Sequence, residues 1–63
     1  MTTQAKQRRV HFSEVAIGQK FFDLISAEYF IKQSDETAVM VSGIGDGVTP
    51  DDFEPDDVVR IDE

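Results

Sequence analysis

From Val10 onward, short apolar runs alternate with polar, turn-forming stretches. In Phe12-Ser13-Glu14-Val15-Ala16-Ile17-Gly18, Ser13 is a natural N-cap and Gly18 a natural terminator, with Phe12 and Ile17 spaced as a hydrophobic staple. This spacing predicts one or two turns of helix. Three segments of strand character follow, at 19–25 (Phe21, Phe22, Leu24, Ile25), 28–33 (Tyr29, Phe30, Ile31) and 37–42 (Val39, Met40, Val41). All are rich in aromatic or β-branched residues. Their links, Ser26-Ala27 and Ser34-Asp35-Glu36, suit hairpins.

Glycines at 43, 45 and 47 break the pattern. Beyond them Thr49-Pro50-Asp51-Asp52 has the marks of a helix start, with Thr49 as cap and Pro50 in the first turn, and Pro55 ends such a helix after about one turn. Val58-Val59-Arg60-Ile61 then supplies a last strand. The pattern predicts an α+β domain, a short N-terminal helix followed by a small antiparallel β-sheet of three to four strands, with an open SH3-like barrel as the alternative. Residues 1–9 lack pattern and are expected to be a flexible basic arm, leaving 10–63 as a single small acidic domain. The core is expected from Phe12, Val15, Ile17, Phe21, Phe22, Leu24, Tyr29, Ile31, Met40, Val58 and Ile61. Alternation places one member each of Phe21-Phe22 and Tyr29-Phe30 on opposite sheet faces. The sheet must therefore curl, or be covered on one face by the helix and on the other by a partner subunit.

With 63 residues, the chain buries only about 60% of its unfolded surface, which leaves little room for a water-excluding catalytic pocket. Cysteine is absent, which removes disulfides, thiolate metal sites and cysteine nucleophiles. Neither a signal peptide nor a membrane span is visible, so the expected setting is the cytoplasm, with no membrane partner. His11, the only histidine, has no evident nucleophile or fellow ligand beside it. No nucleophile elbow, P-loop or dinucleotide fingerprint occurs. A non-catalytic protein without a cofactor is expected.

Charge changes the picture most. The net charge is −7, and its distribution is uneven: residues 1–12 carry +3, residues 13–45 carry −3 and residues 46–63 carry −7. A helix start would gain about 0.3–1 kcal/mol from acids in its first turn. Each neighbouring carboxylate pair, about 6–7 Å apart, costs on the order of 0.6 kcal/mol in water. A structural account of Asp51, Asp52, Glu54, Asp56 and Asp57 therefore roughly breaks even, and a solvated acidic loop competes with a binding surface. In an extended segment, carboxylates at i and i+2 lie about 6.6 Å apart, the same order as phosphates along a nucleic-acid strand. These five residues, with Asp46 and with Asp35 and Glu36 at a hairpin tip, are the candidate contacts for a basic nucleic-acid-binding protein or complex, with no direct contact to nucleic acid. An EF-hand fails, because Val48 and Pro50 stand where ligands are needed after Asp46, though an irregular calcium site stays open.

The spacing Phe12-x-x-Val15-x-x-Gly18-x-x-Phe21 with Tyr29-Phe30-x-Lys32-x-Ser34-x-x-x-Ala38 resembles short proteins encoded by bacteriophages and prophages. By size, acidity and lack of cysteine the chain is also similar to small acidic anti-CRISPR proteins. Several of those occupy the DNA-binding surface of a type I interference complex, some as DNA mimics. The resemblance implies an inhibitor, monomeric or homodimeric, whose partner is a DNA-recognising subunit of a type I CRISPR complex. It carries no functional residue over, so the candidates rest on charge alone. The alternative is a small phage structural or accessory protein that oligomerises through exposed aromatics around Phe21 and Phe30.

Overall fold

The computed structural model describes residues 7–62. Its elements are strand β1 (Gln7–His11), a 3-10 turn (Phe12–Glu14), β2 (Lys20–Asp23), β3 (Glu28–Lys32), β4 (Thr37–Met40), β5 (Pro50–Asp52) and β6 (Val58–Asp62). The six strands form one sheet in the order β1-β6-β2-β3-β4-β5, and every pairing is antiparallel. Among the described residues, β1 and β5 are its two edges. No helix among them is long and apolar enough to cross a membrane.

The fold is therefore nearly all antiparallel sheet, and the expected α+β class with an N-terminal helix is overturned. At 12–18 the chain finds hydrogen bonds across the fold instead of along itself. The Phe12 N–H donates to the Asp57 carbonyl at 2.7 Å, and the Ser13 N–H to the Pro55 carbonyl at 3.0 Å. Local turns close only at Val15, whose N–H donates to the Phe12 carbonyl, and at Gln19, whose N–H donates to the Ala16 carbonyl, both at 3.0 Å. A helix nucleus costs several fixed dihedrals for one bond, so tertiary partners win easily in so short a segment. The expected staple does not form, since Ile17 is 65% exposed. Nor is Ser13 the cap: the His11 N–H donates to Glu14 Oε1 at 2.9 Å. Gly18, at φ +90, donates its N–H to the Lys32 carbonyl while the Lys32 N–H reaches the Gln19 carbonyl. Two residues thus oppose one, a bulge that starts β2 and needs a left-handed residue.

Three further expectations are corrected. Residues 7–9, read as part of a mobile arm, form most of β1 by pairing with β6 from Gln7↔Asp62 to His11↔Val58; the rest of that arm, residues 1–6, lies outside the described residues. The segment after Thr49 is not a helix start but edge strand β5, paired to β4 as Thr37↔Asp52 and Val39↔Pro50. The link from β2 to β3 comprises residues 24–27, longer than expected, with Ala27 at φ 58. Leu24 and Ile25 therefore leave the strand and face solvent, Ile25 at 92% exposure.

One face of the curled sheet carries the core: Val10, Phe12, Val15, Phe21, Phe30, Ala38, Val59 and Ile61, with Met40 and Phe53 packed against it. Its centre is aromatic. Phe12 stacks on Phe53 with centroids 4.8 Å apart, Phe21 stacks on Phe30 at 5.7 Å, and the two stacks meet edge to face at 5.2–5.6 Å. Such contacts add about 0.5–1.5 kcal/mol per pair beyond area burial. The other face holds Phe22 and Tyr29, directly paired across strands, half-buried and covered by cations. The Arg60 guanidinium lies 4.3 Å from the Phe22 centroid and the Lys20 ammonium 4.7 Å from that of Tyr29. Of the expected core, Ile17, Leu24 and Val58 are exposed.

Candidate functional site

Hairpin and edge geometry bring part of the acidic set together. Antiparallel pairing of β4 with β5 sets Asp52 beside Thr37, and the Phe53 N–H donates to the Glu36 carbonyl at 2.7 Å. Glu36, Asp52 and Glu54 consequently share one shallow cleft with Phe53 and Pro55. Asp51, paired to the buried Ala38, turns toward the opposite side. Asp51, Asp57 and Asp23 line a second cleft with Ile25, Phe30, Met40 and Phe53, and Asp52 borders both clefts. Asp46 and Asp51 share a third with Met40, Ile44 and Thr49. Asp35 and Asp56 are exposed and line none of these. The candidates form two clusters around the β5 edge, not a single straight row.

Two of the acids have structural work. Asp46 Oδ1 accepts the N–H groups of Val48 and Thr49, both at 2.8 Å, and Oδ2 accepts the Thr49 hydroxyl at 2.7 Å. The Thr49 hydroxyl, then the Thr49 and Val48 amides, lower its carboxyl from 3.8 to about 2, because hydrogen bonds to the charged form favour it. Asp57 Oδ2 accepts the Glu54 N–H at 2.9 Å and closes the turn into β6. Among the described residues, the carboxylates of Asp35, Glu36, Asp51, Asp52, Glu54 and Asp56 make no hydrogen bond or ion pair within the protein.

Among the described residues no three His, Asp or Glu side chains converge as metal ligands would. The set is spread over the surface and does not converge on one point. Asp23 was not among the sequence candidates. Its only local signature is Asp-x-x-Ser, in which Asp23 Oδ2 accepts the Ser26 hydroxyl at 2.8 Å; its place beside Asp51 and Asp57 comes from the sheet. Of the aromatics around which the apolar alternative is built, Phe21 and Phe30 are 1% and 3% exposed, while their neighbours Phe22 and Tyr29 are half-buried on the other face.

The exposed cations lie elsewhere. Lys20, Tyr29, Arg60 and Asp62 line one cleft, and Gln7, Arg8, Arg9, Leu24 and Arg60 line its neighbour, on the β1–β6–β2 side of the sheet. Comparison with protein-family models, curated proteins and solved structures finds no match.

Proposed function

We propose that this chain is a non-catalytic acidic binding protein, a phage-type inhibitor whose β5 edge and flanking turns occupy a basic nucleic-acid-binding surface. The target class is a bacterial nucleic-acid-binding complex; a DNA-recognising subunit of a type I interference complex is the member to which the resemblance points. The mechanism is steric and electrostatic competition with the nucleic acid, and no step is chemical. One observation carries the reading. Among the described residues, six clustered or neighbouring carboxylates make no hydrogen bond or ion pair, although each close pair repels. Charge kept exposed at such a cost is what an electrostatic contact with an oppositely charged groove requires.

The test is capture by the tagged protein from bacterial lysate containing a type I interference complex, with elution by salt and separately by duplex DNA. Release of a DNA-binding subunit by both is expected. The decisive variant replaces Asp51, Asp52 and Asp56 with Asn and Glu36 and Glu54 with Gln, leaving the turn-building Asp46 and Asp57 untouched. Capture is expected to disappear while the far-UV spectrum stays unchanged. Undiminished capture by that variant sinks the reading.

A further inference from the structure

The two edges of the sheet are complementary, and we infer from them that copies of this chain associate head to tail, the acidic β5 edge of one against the basic β1 edge of the next. This goes beyond the proposed inhibitory role: it shares the β5 acids with that role but adds the residues of β1, which the role does not use. Among the described residues each edge strand has a neighbour on one side only, so its outward amides and carbonyls are open to a further strand. Ladder alternation identifies them. The Phe53 N–H bonds inward to Glu36 and the Phe12 N–H inward to Asp57. In step with these, Asp52 and Pro50 on β5, and Gln7, Arg9 and His11 on β1, turn their main-chain groups outward, the His11 N–H being already taken by Glu14.

Charge selects which edges meet. β5 is Pro50-Asp51-Asp52 and β1 carries Arg8 and Arg9. Two β5 edges repel, as do two β1 edges, so a symmetric dimer through like edges is disfavoured. Unlike edges attract. The β1 side also holds an imbalance that a carboxylate would relieve. Arg9 stands directly opposite Arg60 across the strands, a like-charge pairing that is unfavourable by itself. Arg60 Nε is buried without a hydrogen-bond partner, and the Asp62 carboxylate is 3.6 Å from it, beyond hydrogen-bond reach. Arg60 already lies beside Asp62, so an aspartate carboxylate arriving along the outer edge of β1 would answer the charge of Arg9. Because the contact joins two different surfaces, it generates a ring or an open chain. Pro50 lacks an N–H, so β5 offers about three outward main-chain groups, and the association is weak and salt-sensitive.

Sedimentation velocity of the full chain over a concentration series tests this. At low ionic strength the weight-average mass is expected to rise with concentration. In about 1 M NaCl, where the screening length is roughly 3 Å, the rise should vanish. R8E/R9E and D51K/D52K should each remain monomeric, since each has two edges of like sign. An equimolar mixture of the two should associate again, because unlike edges are restored. A wild-type chain that stays monomeric at every concentration overturns the inference, as does association of either variant alone, or a mass increase that appears only when inorganic phosphate or an oligonucleotide is added. R8E/R9E keeps the whole acidic surface, so it should still capture the proposed partner. Loss of self-association is thereby separable from loss of inhibition.

Discussion

Lys32 is only 4% exposed, and its ammonium donates to the Phe12 carbonyl at 2.9 Å while lying 4.4 Å from the Phe12 ring centroid. The charge thus ties β3 to the turn that follows β1 and satisfies a buried acceptor there. Lys32→Met keeps most of the apolar stem and removes the donor. The Phe12 carbonyl keeps its bond from the Val15 N–H, so what is lost is one charge-assisted hydrogen bond, at a cost of about 1.5–3 kcal/mol, measured as a lower urea midpoint; an unchanged midpoint would show that this bond is dispensable. Asp46 gives a second prediction. Its carboxyl, held at about 2 against an ordinary 3.8, stabilises the fold fully above pH 4 or so, and that contribution is lost as pH falls through about 2. Carbon NMR of the Asp46 carboxyl should therefore titrate near pH 2. A midpoint near 4 would mean that the Val48 and Thr49 amides do not hold it.

At the scale of elements, the aromatic cluster shows what could be read in advance. Strands β2, β3, β4 and β6 were legible because their side chains are branched or aromatic and their turns are polar. The acidic candidates were legible as composition. Their grouping was not, because Asp51 and Asp52 face different sides only once β5 pairs with β4. β5 itself was hidden: Thr49-Pro50-Asp51-Asp52 satisfies helix-start chemistry as well as edge-strand chemistry, and only the partner decides. The same holds at Phe12, whose amide is claimed by Asp57, 45 positions away. Phe53, outside any strand, stacks on Phe12 and meets Phe21 and Phe30 edge-on. Phe53→Ala should cost about 3 kcal/mol, a large part of the roughly 3–9 kcal/mol available to a chain of this length. Thermal unfolding would show it as a much lower midpoint. A shift of a degree or two would mean that the cluster holds without its fourth ring.

At the scale of the whole molecule, the acids gather around β4, β5 and the turn into β6, while the exposed cations lie on the β1–β6–β2 side. The net charge of −7 understates this separation of sign. Electrostatic steering toward a basic groove should orient the β5 edge forward. Association rates with such a partner should accordingly fall steeply with ionic strength while dissociation rates change less, a split that stopped-flow measurements at several salt concentrations would reveal. Equal salt sensitivity of both rates would argue against steering.

The placement of β6 has a consequence for how the chain comes to be folded. The strand furthest along the sequence is not an edge; it sits between β1 and β2 and joins them. On a ribosome, the β2–β5 meander can form as it emerges, but β1 has nothing to pair with until Val58–Asp62 is out. Closure of the sheet must wait for a contact between the two ends of the chain, a slow kind of contact to make. A stop codon after Asp57 would remove Val59 and Ile61 from the core and strand β1 as well. Losing the five residues of β6 should therefore unfold the protein and not merely trim it.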